Sequence, residues 1–298
     1  MGAGHDHHAG ARHRWRLAVT VGLVGAFFLI ELVVALASSS LALLSDAGHM
    51  AADVVGLSAA LVATRVASRR DTTGRRTYGS YRAEVFASAL AVLLMVGVSA
   101  YVVVEAVRRI GEPVVVPGRP LLLVGALGLV VNVVAIVLLR GGAQDSLNVR
   151  GAYLEVVADA AGSVGVIVAA LLIRVTGRPV WDTVVAVAIG VFVAVRAVML
   201  GRQVLAVLGQ HVPEGLEPAR VTADLAGIGG VADVHDLHVW TLTSGMNVAT
   251  VHLVSVAGAD VERILSDGQT LLRERHAIAH ATLQVEPSTG DSCRDTDW

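Results

Sequence analysis

Long apolar stretches alternate with short polar connections over the first two thirds of the chain. Runs with few charges cover residues 17–37, 41–66, 84–107, 120–139, 151–173 and 180–205. Each is close to the roughly 20 residues with which a helix crosses about 30 Å of hydrocarbon. The pattern therefore predicts six membrane-spanning helices. The connection at residues 38–40 is so short that the first two helices should form a tight hairpin.

The pattern changes after residue 205, where Pro213, Pro218 and several charged residues end the apolar part. A short helix near residues 217–226 is followed by two β-rich runs, VADVHDLHVWTL and NVATVHLVSV, with a hairpin loop at 243–246. A helix at 260–275 and a final strand, HATLQVE, complete the order αββαβ. The predicted fold class is a polytopic α-helical membrane protein with a small C-terminal α+β domain. The domains are a His-rich tail, a six-helix transmembrane domain, a cytosolic domain and a disordered tail, over residues 1–16, 17–205, 206–287 and 288–298.

Composition supports a membrane protein and excludes several classes. The chain is 54% hydrophobic and 16% charged, whereas soluble proteins have about 45–50% apolar and about 25% charged residues. The net charge of −2 gives no reason to expect nucleic acid as a partner. The single cysteine, Cys293, excludes an intrachain disulfide and a thiolate-rich metal cluster. Because no metalloprotease motif, nucleophile elbow, P-loop or dinucleotide fingerprint is present, we do not expect an enzyme.

Arginines predict the orientation in the membrane. The first apolar run is too long for a cleaved signal peptide and should be retained. One side of the predicted bundle holds most of the basic residues, namely Arg12, Arg14, Arg16, Arg65, Arg69, Arg70, Arg75, Arg76, Arg82, Arg140 and Arg150. The other side has Arg108, Arg109, Arg119, Arg174 and Arg178. The positive-inside rule then predicts that both termini face the cytoplasm, with the helices in a plasma-type membrane.

Two of the apolar runs carry pairs of metal-ligand side chains. His49 and Asp53 lie in the second run, and Glu155 and Asp159 lie in the fifth. A spacing of four residues puts both members of a pair on one helix face, about 6 Å apart along the axis. Ionisable groups at bilayer depth are costly, so they usually face the protein interior and mark an ion path. Two pairs supply four ligands, the number that a divalent transition metal prefers.

The alternative interpretation is that these polar pairs only hold helices together. Repetition of the arrangement on two helices favours a metal site, as do Gly56 and Gly162, each three residues after an aspartate, which permit close helix approach. Asp46, three residues before His49, has two open interpretations: an entrance or second-shell group of the site, or an interfacial carboxylate. Glu31 and Asn132 are interpreted as interhelical hydrogen-bonding groups.

The predicted site also provides a physical basis for proton antiport. A neutral imidazole and three carboxylates carry a formal charge of about −3. An empty site should therefore hold protons, which an arriving divalent cation displaces.

Four stretches carry a resemblance to a known family. SLALLSDAGHMAADVVGLSAALVA, TYGSYRAEVFASAL, NVRGAYLEVVADAAGSVGVIVAALLI and VHDLHVWTLTSG resemble the cation diffusion facilitator family, in its branch of bacterial zinc, cadmium and cobalt exporters. The resemblance implies a homodimer of six-helix protomers with a metallochaperone-like cytosolic domain, exporting Zn²⁺ or another divalent metal from the cytoplasm in exchange for protons by alternating access. It also implies that the transport ligands are His49, Asp53, Glu155 and Asp159.

One position departs from the family pattern. The zinc branch usually has a histidine where this chain has Glu155, so the site is richer in oxygen. Oxygen ligands favour manganese, iron or cobalt more than an N₂O₂ set does, although zinc also accepts carboxylates. Zinc is therefore the first expectation, and export of cobalt, iron, manganese or cadmium is the alternative.

The cytosolic domain holds a second candidate site. The resemblance implies that His238, His252 and Glu286 bind metal, with Gln284 at a further matching position, and that this metal tightens the dimer. The alternative is that these groups line a sheet surface without metal. Regular strand alternation would place His235 and His238 on opposite faces. The N-terminal His5, Asp6, His7, His8 and His13 are expected to be flexible and to chelate metal weakly.

Two other classes use the same residues. A membrane metal sensor would bind without transporting, and a channel would pass metal down its gradient regardless of pH.

Overall fold

A computed structural model describes residues 7–66, 77–78, 82–109, 116–141, 147–243 and 245–287. Six long helices precede the C-terminal domain, as predicted: α1 His7–Ser38, α2 Leu41–Val66, α3 Ala83–Arg108, α4 Gly118–Arg140, α5 Leu147–Thr176 and α6 Val180–Leu208. The described residues divide into two compact units, one from 1–70 and 86–201 and the other from 71–85 and 202–298. The first unit contains most of the six long helices, and the second contains the small sheet with two short helices.

Helix α1 starts earlier than the apolar run. It begins at His7, so the segment expected to be a flexible tail is helical from that residue. Alanine and arginine in this segment are good helix formers, and no proline interrupts them before the apolar run. His5 and Asp6 lie outside the described residues, as does the predicted disordered tail at 288–298.

Five of the described helices, α1, α3, α4, α5 and α6, are long and apolar enough to cross a membrane. Helix α2 has 26 residues, which is also long enough to cross, and Asp46, His49 and Asp53 interrupt its apolar sequence. These three ionisable residues place most of the candidate chemistry on one helix of the bundle.

Helices α2 and α5 approach each other closely at a glycine. A Cβ atom at Gly162 of α5 would overlap the Asp46 carboxylate of α2. This confirms the predicted role of that glycine, while Gly56 lies in a part of α2 whose packing the structure does not describe. Asn132 of α4 donates to the Ser163 hydroxyl of α5 at 3.3 Å, which is the interhelical hydrogen bond expected of it.

A fully buried carboxylate fastens the start of α6 to the start of α2. Asp182 accepts hydrogen bonds from the Ser40 hydroxyl at 2.6 Å and from the Leu41 amide at 2.7 Å. Its second oxygen lies 3.8 Å from an Arg109 nitrogen at the end of α3. A carboxylate at a helix N-terminus satisfies amide groups that have no partner within the helix. Asp182 therefore joins three helices at one end of the bundle.

The second unit has the predicted order of elements. It contains α7 Pro218–Ala226, β1 Val231–Thr243, β2 Met246–Ser255, α8 Val261–His276 and β3 His280–Pro287. The sheet order is β1-β2-β3, with β1 antiparallel and β3 parallel to β2. A parallel neighbour requires a crossover, which α8 supplies. Its Ile264 and Leu272 are buried in the core of this unit, together with Val251 and Leu253 of β2.

Strand β1 is not regular. Asp236 has a positive φ of 51°, and the register shifts between His235 and His238. Aspartate tolerates this left-handed conformation better than most residues. His235 lies opposite His252, and His238 lies opposite Thr250. The chain therefore advances three residues in β1 over a stretch where it advances two in β2. This β-bulge changes which histidine faces the next strands.

Candidate metal sites

Three of the four predicted transport ligands converge between α2 and α5. The Nε2 atom of His49 lies 3.6 Å from Asp53 Oδ2 and 3.5 Å from Asp159 Oδ1. The three candidate ligand atoms all lie within 4.8 Å of one another. A divalent ion bound at about 2.0–2.2 Å from each donor fits a cluster of this size. We call these three residues the membrane cluster.

The membrane cluster is buried and incompletely satisfied. His49 and Asp159 side chains are each 2% exposed, and Asp53 is 10% exposed. Among the described residues, His49 Nδ1, Asp53 Oδ2 and Asp159 Oδ1 are buried without a hydrogen-bond partner. Unpaired polar atoms in an apolar interior are costly. A bound cation, or a proton in its place, would relieve that cost at the two carboxylate oxygens.

Glu155 is not among the three converging ligand atoms, although its carboxyl group contacts that of Asp53. Its carboxylate accepts a hydrogen bond from Arg196 of α6, and the Glu155 side chain is 30% exposed. The predicted four-ligand set is therefore three ligands plus a carboxylate that is paired with an arginine.

Arg196 was not among the site residues predicted from the sequence. The counted arginines all lie at helix ends or in connections, whereas Arg196 interrupts the apolar sequence VFVAVRAVML. A charged residue at this depth marks a functional site by default, which is the signal that was available. One guanidinium nitrogen lies 3.0 Å from His49 Nε2 and the other donates to Glu155.

Asp46 is inside the bundle and not at an interface. Its side chain and that of Glu31 are each 1% exposed, and the two carboxyl groups share a hydrogen bond. This burial favours the entrance or second-shell interpretation over an interfacial carboxylate. Glu31 thus pairs across α1 and α2, in keeping with its predicted hydrogen-bonding role.

A second cluster lies on the sheet of the other unit. His252 Nδ1 is 2.8 Å from Glu286 Oε1, and His235 Nε2 is 3.4 Å from Glu286 Oε2. His235 and His252 face each other with ring centroids 5.1 Å apart. Ligand atoms from these three residues lie within 4.8 Å of one another, and we call them the sheet cluster. Gln284 donates to Glu286 at 2.8 Å and supports its orientation.

His238, which the sequence analysis assigned to this site, lies outside the sheet cluster. Its Nε2 atom pairs with Asp236 Oδ1 at 2.9 Å, and the side chain is 48% exposed. The bulge at Asp236 is the physical reason, because it brings His235 opposite His252 and leaves His238 opposite Thr250. The geometry therefore favours His235 over His238 as a ligand.

Alanine substitutions should show which of the two histidines, His235 or His238, is a metal ligand. In the full chain with the membrane cluster disabled by Asp53→Ala and Asp159→Ala, His235→Ala is expected to weaken Zn²⁺ binding by about 10-fold or more, because it removes a ligand. His238→Ala is the matched control and should change the affinity by less than about threefold, as it touches only a neighbouring carboxylate. Competition with a chromogenic zinc chelator measures both. Equal losses from the two variants would contradict the assignment of His235.

Each of the two units matches a known protein family. Residues 17–208 match the family described as the cation efflux transmembrane domain, and residues 213–288 match the cation efflux protein cytoplasmic domain. The metal cation efflux system protein CzcD of Cupriavidus metallidurans is 40% identical over 96% of this chain and 90% of its own length. The cadmium, cobalt and zinc/H(+)-K(+) antiporter of Bacillus subtilis is 33% identical, over 95% of this chain and 92% of its own length.

The zinc transporter ZitB of Escherichia coli is 35% identical over 93% of this chain and 90% of its own length. The solved metal-bound C-terminal domain of CzcD from Cupriavidus metallidurans is 35% identical, with coverage of 24% of this chain and 99% of that domain and a TM-score of 0.23. The family matches span both units in consistent order, and the relatives align over nearly their whole lengths. This chain belongs to the cation efflux family of membrane transporters.

Proposed function

We propose that this protein exports divalent transition-metal cations, zinc first among them, from the cytoplasm in exchange for protons. The observation that carries the proposal is the membrane cluster: three metal-ligand atoms from two helices meet within 4.8 Å in a buried interior. Membership of the cation efflux family supports transport as the purpose of that cluster.

The cluster geometry supports exchange of one cation for protons. Asp53 and Asp159 each leave one buried carboxylate oxygen without a partner, so the empty site gains by holding protons and the filled site gains by coordinating metal. Deprotonated ligands take metal from the cytosolic side, α2 and α5 move with the bundle, and protons from the other side displace the metal. Because the two helices meet at Gly162, small relative movements change the distance between Asp53 and Asp159.

The donor set supports zinc as the first substrate. One imidazole and two carboxylates are ligands that zinc accepts in tetrahedral sites with an open fourth position. The names of the relatives point the same way, as they include a zinc transporter and a cadmium, cobalt and zinc antiporter. Cobalt, iron, manganese and cadmium are the alternative substrates, since two carboxylates also suit harder ions.

The proposal extends to placement and assembly. The arginine distribution supports both termini in the cytoplasm of a bacterium, with the helices in its inner membrane. The cytoplasmic family that residues 213–288 match is named for dimer formation, which supports a homodimer. Metal held by the sheet cluster would then regulate transport by changing how the two cytosolic domains associate.

Flux in proteoliposomes tests the function. With the purified protein reconstituted and a pH gradient imposed, Zn²⁺ should move against proton flow, and collapse of the gradient with an ionophore should stop uphill movement. A fluorescent zinc indicator and a pH indicator inside the vesicles record both fluxes. Binding without any flux would instead identify a membrane sensor. Zinc flux that follows its own gradient and ignores pH would identify a channel.

A further inference from the structure

Arg196 places a permanent positive charge at the membrane cluster. Its guanidinium forks between two acceptors, with one nitrogen 3.0 Å from His49 Nε2 and the other donating to Glu155. Phe192, one turn earlier on α6, lies under the guanidinium at 5.9 Å and meets the His49 ring edge-on at 5.9 Å. The arginine is thus held in place by a carboxylate, an imidazole and an aromatic face.

The arginine and a metal ion require the same lone pair. A guanidinium donates only, so His49 accepts through Nε2 and carries its ring proton on Nδ1. His49 Nε2 is also the atom that faces Asp53 and Asp159, at 3.6 and 3.5 Å. A metal bound by the membrane cluster needs that nitrogen free. Arg196 must therefore leave His49 before the metal can bind.

The charge of Arg196 also opposes metal binding at the cluster. The three carboxylates of the predicted ligand set give a formal charge of about −3 with neutral His49, and Arg196 reduces it to about −2. A divalent ion then brings the filled site to neutrality, but it binds beside a like charge, and the two repel. The pairing with Glu155 keeps the guanidinium nearby after it has left His49.

On the basis of the function proposed above, the structure assigns to Arg196 the role of a tethered cation that occupies the empty transport site, competes with the metal for His49 and sets the metal affinity. A site of this kind binds metal less tightly than its ligands alone would, and it releases metal more readily. Glu155 acts as the anchor of the arginine and not as the fourth ligand.

Metal affinity of charge-matched variants tests this role. The full chain carries His235→Ala, His252→Ala and Glu286→Ala to disable the sheet cluster. Dissociation constants of the membrane cluster for Zn²⁺ and Co²⁺ are then measured in detergent with a competing chelator. Arg196→Gln is expected to tighten binding of both ions by at least about tenfold, because it removes a like charge beside a dication. Glu155→Gln should weaken binding by a similar factor. Arg196 then has no carboxylate partner at this position, and its positive charge acts fully on the membrane cluster.

Two comparisons keep the test decisive. Arg202→Gln removes the same charge from an exposed position further along α6 and should change the affinity by less than about threefold. The double variant Glu155→Gln with Arg196→Gln should bind at least about tenfold more tightly than Glu155→Gln alone. This comparison also covers the case in which Arg196→Gln does not fold, because the double variant removes both members of the Glu155–Arg196 pair and leaves neither without the other. Unchanged or weaker binding on removal of Arg196, in either background, overturns the role.

The outcome is separable from the proposed function. A parent protein that binds zinc but moves none in vesicles would refute transport, and the affinity ratios would still decide whether Arg196 competes. If the parent protein transports zinc but removal of Arg196 leaves the zinc affinity unchanged, only the competition between Arg196 and the metal is refuted.

Discussion

Replacement of Asp159 by asparagine is expected to eliminate measurable zinc transport. The substitution keeps the shape of the side chain but removes the only α5 carboxylate in the membrane cluster, 3.5 Å from His49 Nε2. Loss of a direct ligand should weaken binding by more than about 100-fold, beyond the 10–100-fold typical of outer-shell partners. Zinc flux in proteoliposomes and equilibrium binding in detergent measure the two effects.

The matched control for this variant is Ser163→Ala. Ser163 is equally buried one turn further along α5, but its hydroxyl accepts from Asn132 and is not part of the cluster. Loss of that neutral hydrogen bond costs about 1 kcal/mol of stability and should leave zinc affinity nearly unchanged. If Asp159→Asn retained parental flux, the membrane cluster could not be the transport site.

Asp182→Ala should destabilise the helix bundle more than any other single substitution considered. Asp182 is fully buried and satisfies the Ser40 hydroxyl, the Leu41 amide and part of the charge of Arg109. Removal of one member of a buried charged network costs about 3–5 kcal/mol. Here the Ser40 hydroxyl and the Leu41 amide would remain buried without their acceptor, while Arg109 would keep its contact with Glu105. Thermal unfolding in detergent, followed by the loss of the monodisperse peak in size-exclusion chromatography, should show a clear fall in Tm.

Val184→Ala controls for the general effect of truncation on α6. Val184 lies two residues away on the same helix and is 49% exposed, so its loss should cost well under 1 kcal/mol. Asp182→Asn provides a graded test, since it retains one acceptor oxygen but loses the charge. A Tm for Asp182→Ala equal to that of Val184→Ala would show that this junction does not stabilise the bundle.

The sequence predicted the elements that depend on local pattern. The i, i+4 spacing of His49 and Asp53 fixed a shared helix face, and the structure places both beside Asp159 as that spacing requires. The αββαβ order of the second unit followed from alternation and turn signals. Such features need only the period of a helix or strand, which the sequence states directly.

Two predicted ligands are placed by contacts that the local sequence does not contain. Glu155 has the right spacing to be a ligand, but Arg196, some forty residues later in the chain, pairs with its carboxylate. The resemblance pointed to His238, whereas a single left-handed residue, Asp236, interrupts the alternation of β1 and brings His235 opposite His252. Neither the register shift nor the arginine contact follows from local periodicity.

The ionisable residues of α2 have a consequence for biogenesis. An aspartate at the centre of a helix costs about 2.5–3.5 kcal/mol on insertion scales, and Asp53 lies at the middle of α2, with Asp46 nearer its start. These carboxylates make the transfer of α2 alone into lipid less favourable. Only two residues separate it from α1, which is apolar enough to span. We therefore expect the translocon to release α1 and α2 laterally as one unit, so that the metal-binding helix first meets the bilayer with its polar face already shielded by its neighbour.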